Sequence, residues 1–225
     1  MKLLEAVTVE TGPNPTFTII WMHGLGADGH DFEPLVPELL EVGMPVLRFV
    51  FPHAPVRPVT INNGYEMRAW YDIIGIDRRS AEDFAGIKAS ADGVTDLIKA
   101  ENQRGVPTER IAIAGFSQGG AMALHIATRH PEKLAGVIAL SCYLPQSREL
   151  ATAKSPANQA TPIFMAHGTQ DPVVPYPLGD ESRQLLQSAG YPVEWHAYPM
   201  QHSLCEPEVA DIRAWLKRVT ARAAP

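Results

Sequence analysis

The sequence predicts an α/β fold, a mostly parallel central sheet flanked by helices with no large cap domain, and three features point to it. Short apolar runs without polar alternation recur, as buried parallel strands require, and Ile111-Ala112-Ile113-Ala114 is the clearest of them. Amphipathic stretches at helical spacing alternate with these runs, which is the pattern of βα units. The connections carry Gly and Pro where helices must stop and strands must turn. The chain has 225 residues, 45% hydrophobic and 20% charged, enough for a substantial core, so a single domain spanning 1–225 is expected.

Taken in order, Leu3 to Glu10 alternates apolar and polar residues as an edge strand does. Thr11-Gly12-Pro13-Asn14-Pro15 is expected to turn it into a second strand, Phe17 to Met22. A helix around Pro34 to Val42 and a strand from Val46 to Phe51 follow. Ser80 to Arg104 reads as a long amphipathic helix. Phe84, Ile87, Ala91, Val94, Leu97 and Ile98 share one face, Ser80 and Asp83 form a capping pair, and Gly105 with Pro107 ends it. A helix from Gln118 to about Arg129 follows the Ile111 strand. Later strands are expected at Gly136 to Leu140, Pro162 to His167 and Val193 to Tyr198, and helices near Asp180 to Ala189 and Pro207 to Val219. In such a sheet functional groups gather beyond the carboxyl ends of the strands.

Composition narrows the function. A net charge of -6 with no basic run disfavours nucleic acid and anionic membrane surfaces as main partners, and favours neutral or weakly charged small molecules. Met1-Lys2-Leu3-Leu4-Glu5 breaks into charge before a signal-peptide core can form, and no apolar run reaches membrane-spanning length. A cytoplasmic protein without stable membrane insertion is therefore expected. The two cysteines, Cys142 and Cys205, lack metal-site spacing and are expected to be reduced thiols, with no metal or cofactor implied.

The chemistry centres on Gly115-Phe116-Ser117-Gln118-Gly119. A serine on a sharp strand-to-helix turn is exposed to attack a carbonyl, and the residues two before and two after it must lack side chains. Ser117 is the candidate nucleophile. The glycine-rich His23-Gly24-Leu25-Gly26-Ala27-Asp28-Gly29 follows an early strand, where serine hydrolases of this architecture place one oxyanion-hole amide, the residue after the nucleophile giving the other. Leu25 and Gln118 are assigned these roles. The alternative, a phosphate loop, lacks the Walker lysine and the G-x-G-x-x-G spacing. Asp171, just past the Pro162 to His167 strand, is the candidate acid, whereas Asp180 and Glu181 fall where the next helix begins and read as capping charges. Of eight histidines, only His196 and His202 follow the acid. His196 lies within a strand and reads as a core residue. His202 lies on the loop beyond it and is the candidate base, while His23 and His167 could brace the two loops.

With these residues placed, the chain resembles the small α/β-hydrolase carboxylesterases that include bacterial carboxylesterases and the acyl-protein thioesterase and lysophospholipase group. The resemblance rests on H-G-L-G-A-D-G-H-D-F at His23 to Phe32, A-W-Y-D-I at Ala69 to Ile73, E-D-F-A-G-I at Glu82 to Ile87 and G-F-S-Q-G-G at Gly115 to Gly120. It continues through L-S-C-Y-L-P at Leu140 to Pro145, H-G-T-Q-D-P-V-V-P at His167 to Pro175 and M-Q-H-S-L-C at Met200 to Cys205. It implies an α/β-hydrolase fold, the same Ser117, Asp171, His202, Leu25 and Gln118 in the roles above, and hydrolysis of esters or thioesters without cofactor. Gln201, where a smaller residue is expected, and the charged Tyr65-Glu66-Met67-Arg68 depart from the pattern.

The connection from Pro52 to Arg79 is too long for an idle link. Its apolar residues are expected to form an acyl-chain groove beside Ser117, with Trp70, Ile73 and Ile76 as substrate contacts; the resemblance puts Trp70 first. The expected activity is a serine carboxylesterase acting on short to medium acyl esters. Acyl-protein thioesterase or lysophospholipase activity is the alternative, and a non-catalytic binding protein of this fold a more distant one. Oligomeric state is open, a homodimer included.

Overall fold

The computed structural model describes residues 3–75 and 81–222. Seven strands form one sheet: β1 (Ala6–Glu10), β2 (Phe17–Met22), β3 (Leu47–Pro52), β6 (Ile111–Phe116), β7 (Gly136–Leu140), β8 (Ile163–Gly168) and β9 (Val193–Tyr198), in the order β1-β3-β2-β6-β7-β8-β9. All neighbours are parallel except β1 and β3. Two further strands, β4 (Val56–Val59) and β5 (Tyr65–Arg68), make a separate antiparallel hairpin. The helices are α1 (Phe84–Gln103), α2 (Gln118–Arg129), the short α3 (Leu150–Ala153), α4 (Tyr176–Ser188) and α5 (Glu206–Arg222).

The strand sequences dictate a doubly covered sheet. Every residue of β2, β7 and β8 is buried, so both faces of these strands need apolar cover. Alternate residues serve opposite layers, because side chains of a strand point to opposite faces. Ile20, Met22, Ile111 and Ile113 pack with Ile87, Val94 and Leu97 of α1 and with α2. Ile19, Trp21, Ala112 and Ala114 face the other layer, with Ile212, Trp215 and Leu216 of α5 and Val36 and Leu39 of a 3-10 helix at Glu33–Leu39. The expected helix near Pro34 takes this tighter form because Pro37 inside it has no amide to give.

Three expectations are corrected. The first strand does not turn back on the second: β3 lies between them, with Ala6 opposite Pro52 and Glu10 opposite Arg48. The six-residue link, 11–16, steps across β3 instead of closing a hairpin, anchored by Thr11 N–H on Leu47 O at 2.9 Å and Thr16 N–H on Val46 O at 3.0 Å. The long helix begins at Phe84, after Asp83 caps it by accepting the Gly86 amide at 2.8 Å; Ser80 lies outside the described residues. Asp180 and Glu181 do not start a helix. α4 begins at Tyr176, which places Asp180 in its second turn, where it accepts from Arg183 Nε at 2.8 Å and Gln184 Nε2 at 2.7 Å.

Helix α1 carries one buried charge toward the sheet. Glu101, 4% exposed, accepts from Thr18 Oγ1 of β2 at 2.8 Å and from Arg48 Nε of β3 at 3.2 Å, so its carboxylate is paired rather than stranded.

Asp83 joins helix α1 to the preceding segment, since its second carboxylate oxygen accepts the Asp72 amide at 2.9 Å. Asp83→Ala is expected to cost about 1–2 kcal/mol, lowering the melting temperature by a few degrees, roughly 2–8 °C. An unchanged thermal melt would show that the cap is not a stabilising contact.

Candidate active site

The candidate residues come from turns at the carboxyl ends of β2, β6, β8 and β9. Ser117 follows β6 with φ 54° and ψ -119°, a backbone conformation that is costly for a residue with a side chain. Its strain is enforced by packing. A Cβ on Gly115 would stand 2.2 Å from the Gly119 carbonyl, and one on Gly119 would stand 2.2 Å from Met22 O. Both glycines the motif requires are therefore needed here, and the elbow lies directly on the end of β2. Ser117 N–H donates to Leu140 O of β7 at 2.8 Å, and Ser117 O accepts the first helical bond from Ala121 at 3.0 Å. Gln118, the first residue of α2, has an amide with no partner inside the helix, pointing where negative charge is favoured.

The structure brings the side chains of the candidate acid and the candidate base together. His202 Nδ1 lies 2.7 Å from Asp171 Oδ2, while Asp171 Oδ1 accepts the amides of Val173 at 2.8 Å and Val174 at 2.9 Å. Asp171 is buried; the His202 side chain is 15% exposed, leaving it reachable. The Phe116 ring, one residue before Ser117, lies 4.7 Å from the His202 ring, so elbow and base loop are in contact. The turns after β8 and β9 are tied by Thr169 N–H on Tyr198 O at 2.8 Å and Gln170 N–H on Met200 O at 3.1 Å. Gln201 touches Gly168 through its backbone while its side chain faces solvent, so its size does not crowd the loop.

The two bracing histidines hold these turns. His23 Nε2 accepts the Ala54 amide at 3.1 Å, so Nδ1 carries the proton and donates to Gly24 O at 2.7 Å. His167 Nε2 bonds Val174 O at 2.8 Å and stands 3.5 Å from Asp171 Oδ2, fixing the turn that feeds the acid its amides. Burial holds both imidazoles below the ordinary histidine value, which keeps them neutral. In the loop after β2, Gly26 N–H donates to Arg68 O at 2.9 Å and Ala27 N–H to Gly24 O at 3.3 Å, while Leu25 N–H has no backbone acceptor among the described residues.

This geometry has relatives. The sequence profile described as phospholipase/carboxylesterase matches residues 4–220. The chain belongs to that family. It is 45% identical to acyl-protein thioesterase 1 of Neurospora crassa over 89% of this chain and 86% of that one. It is 38% identical to acyl-protein thioesterase 1 of Mycosarcoma maydis over 97% and 98%. Among solved structures, Arabidopsis thaliana SOBER1 superposes with a TM-score of 0.85 at 32% identity, covering 90% of this chain and 98% of that one. The protein is thus a hydrolase with the α/β-hydrolase fold. These relatives are fungal and plant proteins, so they support the family and not its bacterial branch.

The expected acyl groove is revised. Trp70 is fully buried and Tyr71 nearly so, both part of the core, and the Trp70 indole is turned inward. Trp70 therefore offers no surface to a substrate in this conformation. Ile73 is half-buried against the same core, bridged to Glu82, and Ile76 lies outside the described residues. His196 is not a core residue. It lies on the edge strand, stacked on Phe164 at 4.8 Å and within 3.1 Å of Glu194 Oε1. Burial pushes the Cys142 thiol well above its ordinary range, which makes it a poor nucleophile. Among the described residues no cluster of side chains is set to hold a metal ion, and no helix is long and apolar enough to cross a membrane.

Because folding depresses the pKa of His23 below 6.5, the unfolded chain binds a proton that the folded chain refuses. His23 therefore costs stability as pH falls below that value. Glu208 works in the opposite direction, since burial raises its carboxyl to about 8, with the Cys205 amide, outside hydrogen-bond geometry, only partly offsetting this. The clean readout is a difference: His23→Gln should lose less melting temperature than the wild type between about pH 7 and pH 5. Equal losses would show that His23 titrates normally in the folded chain.

Proposed function

We propose that this hydrolase cleaves acyl thioesters and the corresponding carboxylic esters through Ser117, His202 and Asp171, with the amides of Leu25 and Gln118 receiving the oxyanion. The observation that carries the reading is the 2.7 Å bond between His202 Nδ1 and Asp171 Oδ2, beside a serine at a strained elbow. That bond fixes the tautomer. With its Nδ1 proton held by Asp171, His202 presents an unprotonated Nε2 to the serine hydroxyl.

His202 takes the Ser117 proton as Oγ bonds to the carbonyl carbon, and the carbonyl oxygen becomes an oxyanion between the two amides. Collapse breaks the bond to the leaving sulfur or oxygen, which receives the proton from His202. Water, deprotonated by His202, then attacks the acyl-enzyme, and Ser117 leaves with the proton returned. Both fungal relatives above are named acyl-protein thioesterases, which favours a thioester on an acylated protein over the short carboxylic esters expected first. A small-molecule ester remains an adequate probe of the same chemistry.

Initial rates across a series of acyl thioesters and oxyesters of matched chain length test the substrate class. Higher kcat/KM on the thioester at equal chain length is expected; a consistent preference for short oxyesters would restore the carboxylesterase reading. Ser117→Ala or His202→Ala should lower kcat on the order of a million-fold, and Asp171→Asn about ten-thousand-fold. Near-normal turnover in purified Ser117→Ala would sink the nucleophile assignment.

A further inference from the structure

We propose that Trp70 is a positioning residue that locks the two halves of the oxyanion hole to each other. The inference rests on the assignment of that hole to the Leu25 and Gln118 amides. These amides belong to separate turns, after β2 and after β6, and nothing in the chain order fixes the gap between them. Trp70 spans it with its backbone N–H and its indole N–H.

Its backbone N–H donates to Gln118 Oε1 at 2.7 Å, and Gln118 Nε2 donates in turn to Tyr71 O at 2.8 Å. The Gln118 side chain is thus clamped by the backbones of two consecutive residues, which fixes the start of α2. The indole Nε1–H donates to His23 O at 2.9 Å, and the His23 and Trp70 rings lie 5.3 Å apart. His23 in turn holds Gly24 O, the carbonyl just before Leu25, at 2.7 Å. The Trp70 carbonyl accepts a hydrogen bond from Ser90 Oγ, which anchors the residue to α1. Trp70, Gln118 and His23 are all at most 2% exposed, so these bonds meet no competing water. An oxyanion donor acts through placement, and a displacement of about 1 Å can cost about a hundredfold in rate.

Trp70→Phe keeps the apolar bulk and removes the indole N–H. The test compares kcat, KM and the inhibition constant of a trifluoromethyl ketone with the substrate's acyl chain, whose hemiketal places a negative oxygen in the hole. We expect kcat to fall about 10- to 100-fold with KM within about threefold of wild type. Affinity for the ketone should weaken by a factor matching the loss in kcat/KM. Ser90→Ala loosens Trp70 without altering its ring and should show the same split at smaller amplitude, giving a readout if Trp70→Phe fails to fold. Trp215→Phe, buried on α5 away from these turns, should lower the melting temperature while leaving kcat and ketone affinity unchanged. Turnover retained in Ser117→Ala overturns the nucleophile assignment and this inference with it. Turnover lost there but wild-type kcat and ketone affinity in folded Trp70→Phe, or in Ser90→Ala if Trp70→Phe does not fold, overturn the inference alone.

Discussion

The close approach of the β6 elbow to the end of β2 is the constraint on which the site depends. Met22 O and His23 O occupy the space that a side chain on Gly119 would take, and the Gly119 carbonyl occupies the space of one on Gly115. Only with both positions bare can Ser117 hold φ 54° within reach of the loop that carries Leu25. The strain is sustained by the sheet. β6 lies between β2 and β7, parallel to both, and the Ser117 amide is bonded to Leu140 of β7. A backbone so poorly populated on its own persists because its surroundings leave it no alternative.

Around that contact the polar groups are arranged so that few are left to relax. Asp171 uses one oxygen for two amides and the other for His202. Trp70 and His23 each bond two or more separate segments. Buried bonds of this kind contribute modestly to net stability, yet breaking one strands its partner at a cost of about 1–3 kcal/mol. They therefore specify one arrangement more than they strengthen it. Glu208 is fully buried with neither carboxylate oxygen hydrogen-bonded, and its raised pKa keeps it largely neutral; among the described residues the Nδ1 of His167 and the Oγ of Ser141 are likewise buried without a partner.

Much of this was legible in the sequence, because it rests on local chemistry. Uniform apolar runs marked β6 and β7, and glycines flanking a serine marked the elbow, since each signal lies within a few residues. The pairing of β1 with β3 was not legible: alternation identifies an edge strand but not its neighbour. The β4 and β5 hairpin was missed although Asn63-Gly64, with φ 55° and 76°, carries a strong turn signal. The family resemblance puts Trp70 first among the substrate contacts of an apolar groove, whereas the structure buries it in the core. Its indole bond to a carbonyl 47 positions away leaves no trace in a linear pattern. The partners of Gln118 were hidden for the same reason.

The most direct measurement is to treat the purified protein with a fluorophosphonate at stoichiometric concentration and locate the adduct by peptide mass. One phosphonyl group per chain, on Ser117, lost in His202→Ala and accompanied by complete loss of hydrolysis, is the expected result. An adduct on another residue, or full hydrolysis by protein modified at Ser117, would contradict the triad.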